Sequence, residues 1–314
     1  MSRPLSDSVV VITGASSGIG RATALAFAAA GAKVVLAARR EEPLREAAAD
    51  CEARGAEALA VPTDVRDEAA VRRLAAAADE RFGGVDVWVS NAGVTLLGRF
   101  EDAPAELWRE VVETNFFGAV NGARAALPAL RRRGAGTLIN VGSVNSRVGA
   151  PYASAYVASK FALRGFAECL RDEVRGDGID VCTVLPASID TPLFQHAANF
   201  VGRPIKPLRP ILRPERVAAA IVRCARRPRR EVVVGVSGRQ LIVLHDLALP
   251  LFERIMSRNV EREHFLQRAA EPTAGNLREA VPEWTGVTGG WKDGDASPTG
   301  AGPATDALGA PSGA

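Results

Sequence analysis

The sequence predicts an α/β fold in which one parallel sheet of about seven strands is covered by helices on both faces, that is, a doubly wound arrangement. Two observations predict it. Short β-branched runs alternate along the chain with alanine-rich helical stretches. The runs are continuously apolar, which is typical of strands that are buried on both faces. The composition, with 47% hydrophobic and 24% charged residues, suits a globular protein that builds its own core.

The first unit sets the pattern for the rest of the chain. Residues 9–12 are a β-branched run that stops at a glycine-rich turn. A helical stretch follows at 21–30, and a second apolar strand is predicted at 33–38. Strand, helix and strand in this order predict a βαβ unit with parallel strands.

The alternation continues to about residue 238, which we take as the end of one domain formed by residues 1–238. Further strands are predicted at 58–61, 85–89, 137–141, 179–185 and 231–236. The predicted helices occupy 41–54, 68–82, 105–133, 154–175 and 214–226. The proline-rich segment 187–213 interrupts the rhythm and is predicted to be a loop or lid.

Two segments follow the domain. Residues 239–270 are predicted to be a helical extension whose apolar face carries Leu241, Leu244, Leu247, Leu251 and Ile255 at spacings of three and four. From residue 271 to 314 the composition is dominated by Pro, Gly, Thr, Ala and Asp. Such a composition predicts a disordered tail, and the tail is therefore expected to be dispensable for the chemistry.

Composition excludes several classes of protein. A net charge of +3 gives no electrostatic reason to expect nucleic acid as a partner. The four cysteines are scattered and the three histidines lie far apart, so neither a disulfide framework nor a metal site is expected. No signal peptide and no apolar run of roughly 20 residues is found. We therefore expect a cytoplasmic protein.

A glycine pattern lies between the first strand and the first helix. Gly14, Gly18 and Gly20 allow a tight turn, a close backbone approach to a pyrophosphate and close packing of the helix on the strand. The helix N-terminus then presents N–H groups to the phosphates. In this strand–helix context the spacing predicts a dinucleotide site of the Rossmann type.

The end of the second strand indicates which dinucleotide is bound. Arg39 and Arg40 follow this strand where an acidic residue would read the ribose 2′-hydroxyl of NAD. Arginine there suits a 2′-phosphate, so we expect NADP, with NADPH preferred over NADH. The alternative is a solvated basic helix start paired with Glu41 and Glu42.

Four polar residues suggest the chemistry. Tyr156 and Lys160 are four residues apart and share one face of a helix, where the ammonium is expected to lower the pKa of the phenol. Ser143 follows the carboxyl end of a predicted strand, where ligands of open α/β sheets bind. Asn115 lies in the predicted helix 105–133, either as a core polar group or as a water anchor.

In this order, the motifs resemble those of the short-chain dehydrogenase/reductase family, in its short-subunit branch with a C-terminal extension. The resemblance covers about residues 7–236 and rests on Thr13–Gly20, Asp64-Val65, Asn91-Ala92-Gly93, Asn115, Ser143, Tyr156-x-x-x-Lys160 and Ile189-Asp190-Thr191-Pro192. Two departures are Ser90, where the family usually has Asn, and Ala187, where it usually has Gly; the second removes a conformationally permissive backbone position beside the expected nicotinamide.

The resemblance implies a catalytic tetrad and a cofactor site. Tyr156 would exchange a proton with the substrate, Ser143 would hold the substrate oxygen, Lys160 would bind the ribose and lower the Tyr156 pKa, and Asn115 would anchor a water. The implied cofactor-binding residues are Gly14, Ser16, Ser17, Gly18, Ile19, Gly20, Arg39, Asp64, Val65, Asn91, Ala92, Gly93, Tyr156, Lys160, Ile189 and Thr191.

We therefore expect an NADP(H)-dependent oxidoreductase that interconverts a carbonyl and an alcohol on a hydrophobic small molecule. The alternatives are a non-catalytic nucleotide sensor or scaffold, which the intact tetrad argues against, and a nucleotide-sugar epimerase, which the glycine spacing disfavours. A homodimer or homotetramer is expected. Residues 241–256 could instead face a membrane surface, but Pro250 and the lack of a cationic face favour packing on protein.

Overall fold

The computed structural model describes residues 4–294 and residue 296. Seven strands of the described chain form one sheet in the order β3-β2-β1-β4-β6-β7-β9, and every neighbouring pair is parallel. These strands are β1 (Val9–Thr13), β2 (Lys33–Ala38), β3 (Ala58–Pro62), β4 (Val87–Ser90), β6 (Gly136–Val141), β7 (Ile179–Pro186) and β9 (Glu231–Val234). The doubly wound sheet is confirmed.

Helices cover both faces of this sheet. They are α1 (Gly18–Ala28), α2 (Glu41–Glu52), α3 (Glu68–Phe82), α4 (Ala105–Val112), α5 (Gly118–Arg133), α6 (Ser154–Glu173) and α7 (Pro214–Arg226). Successive strand residues point to opposite faces, so β1 places Val10 and Ile12 in one core and Val9 and Val11 in the other. The order reverses at β1 and β4, which opens a crevice at their carboxyl ends.

The segment predicted as one helix over 105–133 contains a local change of winding. Between α4 and α5, residues Glu113–Phe117 form a π-turn, and the buried Asn115 lies in it. A π-turn adds one residue to the helical repeat and is frequent at functional sites. Composition does not reveal it, because these residues suit a regular helix equally well.

A second, two-stranded sheet lies outside the sequence prediction. It pairs β5 (Leu96–Gly98) with β8 (Ala198–Phe200) in parallel. β8 lies within 187–213, so the predicted loop is partly held as a strand. Each of the two strands has only three residues, too few to show the alternation or the length by which strands are recognised in a sequence.

The helical extension is present, but it is broken in the middle. It begins earlier than expected, because α8 spans Val236–Leu247 and the predicted strand 231–236 ends at Val234. The chain breaks at Ala248, and α9 spans Leu249–Asn259 with Pro250 in its first turn, where proline is tolerated.

The break changes which side chains of the extension are buried. Ile242, Phe252, Met256 and Val260 pack in one cluster, and Leu241 and Leu244 lie against it. Leu247, expected on the apolar face, is 82% exposed, and Leu251 is also exposed. The predicted face therefore holds at Leu241 and Leu244 and fails at Leu247, where α8 ends, and at Leu251, which follows the break at Ala248.

The structure also corrects the prediction of a disordered tail from residue 271. Residues 271–294 have little regular secondary structure, yet Leu277 and Trp291 are buried and the backbone is hydrogen-bonded to the domain. The remaining predicted tail, residue 295 and residues 297–314, lies outside the described residues. None of the helices in the described ranges is long and apolar enough to cross a membrane.

Candidate active site

The glycine turn after β1 has the geometry that its sequence predicts. Gly14 and Gly18 adopt positive φ angles of 66° and 55°, which favour glycine. A Cβ on Gly20 would lie 2.0 Å from the carbonyl oxygen of Gly14, so the helix fits against the turn only without a side chain. The turn therefore forms a cradle of backbone that suits a pyrophosphate at the start of α1.

The segment after β4 braces this cradle. Asn91 Nδ2 donates to the carbonyl oxygens of Thr13, at 2.9 Å, and Gly14, at 3.2 Å. A Cβ on Gly14 would lie 2.8 Å from Cα of Ala92. Asn91 is one of the predicted cofactor-binding residues; its amide group holds the turn in place, and the residue also lines the adjoining cavity.

Two arginines lie at the end of β2, as the sequence predicts. Arg39 and Arg40 are half-buried, and burial lowers the pKa of both guanidinium groups from the ordinary value. Arg40 Nη2 donates to the hydroxyls of Ser16, at 3.3 Å, and Ser17, at 3.4 Å. The positive charge of Arg40 therefore lies beside the glycine turn, and Arg39 lines the same cavity.

Asp64 and Val65 follow β3, the strand next to β2, and line the same cavity as the arginines. Burial alone would raise the pKa of Asp64, but hydrogen bonds from Arg66 and its charge hold that pKa below the ordinary value. Arg66 Nη2 approaches Asp64 Oδ2 at 2.7 Å, and Arg66 also pairs with Glu110. Asp64 is thus a fixed carboxylate at the edge of the crevice.

A cavity of about 190 Å³ collects most of the predicted cofactor residues. Of the predicted set, Gly20 and Ile189 are absent from its lining; Gly20 lies behind the turn and Ile189 lines a second cavity. The predicted residues that do line it are Gly14, Ser16, Ser17, Gly18, Ile19, Arg39, Asp64, Val65, Asn91, Ala92, Gly93, Tyr156, Lys160 and Thr191.

Tyr156 lines this cavity, and Ser143, which lines the second cavity, lies beside the Tyr156 phenol. Burial raises the pKa of the Tyr156 phenol above its ordinary value, and a hydrogen bond with the Ser143 hydroxyl acts in the opposite direction. Ser143 is buried at the N-cap of a short turn, where its oxygen accepts from the Asn145 N–H at 3.1 Å. The turn fixes the serine rotamer beside the phenol.

Lys160 follows Tyr156 by one turn of α6 and is 4% exposed. Its Nζ donates to the Val141 carbonyl oxygen at 2.9 Å and lies 5.7 Å from the centre of the Tyr156 ring. Burial lowers the pKa of Lys160 to about 8. The expected lowering of the Tyr156 pKa by Lys160 is wrong for this structure, since the ammonium is held by the Val141 carbonyl and burial of the phenol dominates.

Asn115 ties the site together. Its Oδ1 accepts from the Val94 N–H at 2.8 Å, and its Nδ2 donates to the Val94 carbonyl and the Ser159 hydroxyl, both at 3.0 Å. These bonds connect the π-turn, the segment after β4 and α6. The side-chain amide thus positions its neighbours, and the expected role of Asn115 as a water anchor stays a prediction.

A second cavity of about 370 Å³ adjoins the first and is mostly apolar. Five residues line both cavities: Ile19, Gly142, Tyr156, Thr191 and Leu193. The wall of this cavity includes Thr95, Leu97, Val144 and Asn145 and parts of the segment 193–210, whereas Tyr152 and Arg147 do not line it. Tyr152 instead donates its hydroxyl to Glu261.

Sequence reasoning missed part of both walls. The helical extension contributes Gln240, Leu241, Leu244, Met256, Val260 and His264 to the apolar cavity. His196 and the tail residues Asn276, Ala280 and Val281 line the other. One signal was available, because two of the four tryptophans, Trp284 and Trp291, lie in the supposedly disordered tail, and disordered segments contain few aromatic residues.

The fold and site define a class of protein. A doubly wound parallel sheet, a glycine cradle at the switch point and a Tyr–Lys pair between two cavities are the features of a dinucleotide-dependent oxidoreductase.

Comparison with known proteins agrees with this class. Residues 8–201 match the short chain dehydrogenase family. The chain belongs to this family, and it is an NAD(P)-dependent dehydrogenase/reductase.

Similar proteins include an uncharacterized oxidoreductase, YxnA, of Bacillus subtilis, which is 39% identical over 86% of this chain and 77% of its own length. The dehydrogenase/reductase SDR family member 7B of Bos taurus is 35% identical over 82% of both chains.

Two solved structures share the fold. One is an alcohol dehydrogenase from the archaeon Thermococcus sibiricus, complexed with 5-hydroxy-NADP, with a TM-score of 0.64 and 31% identity. The match covers 72% of this chain and 95% of that one. The other is a short-chain type dehydrogenase/reductase from Mycobacterium marinum, with a TM-score of 0.64, 28% identity and coverage of 72% and 93%.

Proposed function

We propose that the protein is an NADP(H)-dependent reductase that converts a hydrophobic ketone or aldehyde into the alcohol, with Tyr156 as the acid and, in reverse, the base. The observation that carries the proposal is the position of Tyr156, which lines both cavities. We call the first, which contains Arg39, Arg40 and Asp64, the charged cavity, and the second the apolar cavity. A proton donor at that junction can reach a substrate oxygen beside a bound nicotinamide.

The charges of the first cavity support NADP(H) over NAD(H). Arg39 and Arg40 both line it, and Arg40 lies beside Ser16 and Ser17 of the turn. A guanidinium can form charge-assisted hydrogen bonds to a 2′-phosphate. The NADP analogue bound to the related archaeal alcohol dehydrogenase is consistent with this choice.

The protonation states support reduction. The pKa of Tyr156 is raised, so the phenol is neutral and carries the proton that the product alcohol needs. Ser143 can donate a second hydrogen bond to the substrate oxygen, and Lys160 would hold the ribose. Bound NADPH would supply a hydride to the carbonyl carbon, and Tyr156 would donate its proton to the carbonyl oxygen.

The second cavity supports a hydrophobic substrate. Leu97, Val144, Leu193, Leu241 and Met256 contribute apolar walls to this cavity. Its volume of about 370 Å³ falls within the usual range for small-molecule sites. A homodimer or homotetramer stays a prediction, which size-exclusion chromatography with light scattering would check.

The experiment is a panel of hydrophobic ketones and aldehydes, followed by loss of reduced-nicotinamide absorbance with NADPH and with NADH. We expect turnover that is faster with NADPH. Tyr156→Phe should abolish turnover and leave NADPH affinity nearly unchanged, because only the proton is lost. Arg39→Ala should weaken NADPH binding roughly tenfold and barely affect NADH. Equal wild-type affinity for both cofactors would refute the NADP assignment, and an active Tyr156→Phe variant would refute the acid.

A further inference from the structure

Residues 273–291 run across the mouth of the charged cavity, and we call them the strap. Its first end joins β8: Thr273 and Asn199 exchange backbone hydrogen bonds of 2.8 and 3.0 Å, and the Asn276 N–H donates to the His196 carbonyl. Its last end is fixed by Asp190, whose Oδ1 accepts from the backbone N–H groups of Gly289, at 3.1 Å, and Trp291, at 2.9 Å.

Trp291 strengthens the second anchor. Its ring is 7% exposed, and its Nε1 donates to the Thr191 carbonyl oxygen at 3.1 Å and approaches Gln195 Oε1 at 3.0 Å. The Gln195 amide in turn donates to the Gly289 carbonyl at 2.7 Å. Both ends of the strap are thus bound by buried groups, and its middle spans the distance between them.

The middle of the strap is held by the groups expected to bind the cofactor. Arg39 Nη2 donates to the Asn276 carbonyl at 2.6 Å, and Arg40 Nη1 donates to the carbonyls of Val281, at 2.8 Å, and Glu283, at 3.1 Å. Further along, the Gly18 N–H donates to the Gly286 carbonyl at 3.0 Å.

These contacts leave the cavity open between the strap and the sheet. Asn276, Ala280 and Val281 line the same cavity as Gly14, Asp64 and the two arginines, so the strap forms part of the wall of that cavity. The carbonyls restrain each guanidinium, while a guanidinium has five N–H donors and keeps others for a second acceptor. Restraint before binding lowers the entropy lost on binding.

We propose that the strap is part of the cofactor site: it closes over the adenosine half of bound NADP(H) and holds Arg39 and Arg40 in position for the 2′-phosphate. This inference rests on the proposed use of NADP(H). The strap uses backbone carbonyls for these contacts, so its action depends on its anchored course across the cavity rather than on particular charged side chains.

The opposite arrangement is a strap that blocks the site, since the Gly286 carbonyl occupies the Gly18 N–H. The two arrangements predict opposite changes in cofactor affinity when the strap is removed. A closing strap adds contacts to the bound cofactor, and its removal weakens binding. A blocking strap competes with the phosphates, and its removal tightens binding.

The experiment compares NADPH and NADH binding, by nicotinamide fluorescence, in the full chain and in two truncations. A chain that ends at Ala270 lacks the strap. A chain that ends at Gly294 keeps it and serves as the matched control. We expect the Ala270 truncation to bind NADPH at least tenfold more weakly, with a smaller loss for NADH, and the Gly294 truncation to match the full chain. Unchanged or tighter NADPH binding without the strap would overturn the proposal.

Because removal of the strap exposes Leu277's packing site and could impair folding, a second measurement uses the intact chain. Hydrogen exchange of strap amides is followed with and without NADPH, and residues 253–258 of α9 serve as the internal control. We expect NADPH to slow exchange in 276–286 and leave α9 unchanged. Equal or faster exchange in 276–286 would overturn the proposal.

A third variant, Trp291→Ala, releases one anchor while the rest of the strap remains. It should raise the dissociation rate of NADPH several-fold, and an unchanged rate would contradict the role of the anchor. Failure of the proposed function has a different signature, since the full chain itself would then bind NADPH no better than NADH or not at all. Tight, NADPH-selective binding in the full chain that does not depend on the strap would refute the strap proposal and leave the proposed function intact.

Discussion

At the residue scale, the glycine turn shows how the absence of a side chain determines the geometry of a binding site. The carbonyl of Gly14 occupies the space that a Cβ on Gly20 would need, at a distance of 2.0 Å. The contact is backbone against backbone, so relief requires the turn or α1 to move. The glycine spacing could therefore predict the cradle, because few other sequences permit this geometry.

We expect Gly20→Ala to lower the free energy of unfolding by about 1–3 kcal/mol and to abolish cofactor binding, because the helix must move off the turn. Gly165→Ala is the matched control, since Gly165 is exposed on α6 and a Cβ there meets nothing within 4 Å. It should leave binding unchanged and raise stability by up to about 1 kcal/mol. Chemical denaturation and NADPH titration measure both effects. Normal binding in Gly20→Ala would contradict the cradle.

Burial of the charged Lys160 lowers the free energy of unfolding of the protein. Its pKa is lowered from 10.5 to about 8 by burial, so the unfolded chain binds its proton more readily than the folded chain does. The difference corresponds to roughly 3 kcal/mol of lost stability below pH 8, and the loss is relieved as pH rises from 8 to 10.5. A residue kept at such a cost is typical of a functional site.

We therefore expect Lys160→Met to be more stable than the wild type at pH 7 and to lose both turnover and cofactor affinity. The gain in stability should shrink above pH 8, where the wild-type lysine becomes neutral. Denaturation midpoints at pH 7 and pH 10 give the first quantity, and NADPH titration gives the second. A variant that is inactive but no more stable at pH 7 would show that burial of the ammonium is compensated by its bond to Val141.

At the element scale, short and irregular pieces escaped prediction while long periodic ones did not. The seven sheet strands and the helices between them carry strong apolar patterns, so their order could be predicted. β5 and β8 are too short to show a pattern, and the π-turn at Asn115 has no composition of its own. The strap has backbone contacts to Arg39 and Arg40 that no local pattern encodes.

The extension formed by α8 and α9 is expected to be indispensable. Ile242, Phe252, Met256 and Val260 are buried in a cluster that also includes Leu97 and Val148 of the domain. A chain that ends at Gly238 would expose this cluster and open the apolar cavity. We expect aggregation or a lower melting temperature, measured by size-exclusion chromatography and thermal melting. A stable, active chain ending at Gly238 would show that the extension has no structural partner and would favour the membrane-surface alternative.

At the scale of the whole molecule, two buried histidines, His196 and His264, make the stability of the folded chain depend on pH. His264 Nδ1 contacts the Lys206 carbonyl, and His196 Nε2 lies 3.0 Å from the Glu283 carbonyl of the strap. A carbonyl oxygen only accepts hydrogen bonds. In each neutral imidazole the proton therefore lies on the nitrogen that faces the carbonyl, Nδ1 in His264 and Nε2 in His196. Burial lowers the pKa of each histidine to about 4.

The sign of the pH effect follows from these values. The unfolded histidines take up protons near pH 6.5, and the folded ones resist protonation until about pH 4, so stability is lost as pH falls between those values. For His196 the loss reaches about 2–3 kcal/mol at pH 4.5. Arg40 and Arg39 beside it act in the same direction, and Glu283 opposes them.

We expect His196→Gln to flatten the acid limb of the stability profile by about this amount, with His264 left to account for the rest. Urea midpoints between pH 7 and pH 4.5 measure it. Proteolysis in 276–286 should also increase in the wild type as pH falls, because protonated His196 repels both arginines. An identical acid limb in wild type and variant would show that His196 is not a source of acid sensitivity.

The two cavities meet at Tyr156 yet have different outer walls, the strap on one side and α8 with α9 on the other. In kinetic terms, the cofactor and the substrate would exchange with solvent through separate parts of the molecule. Each catalytic cycle consumes one cofactor, so the rate at which the strap lets the spent cofactor leave sets a ceiling on turnover that no improvement in the substrate can raise. A compound lodged in the apolar cavity would stop the reaction without slowing cofactor release.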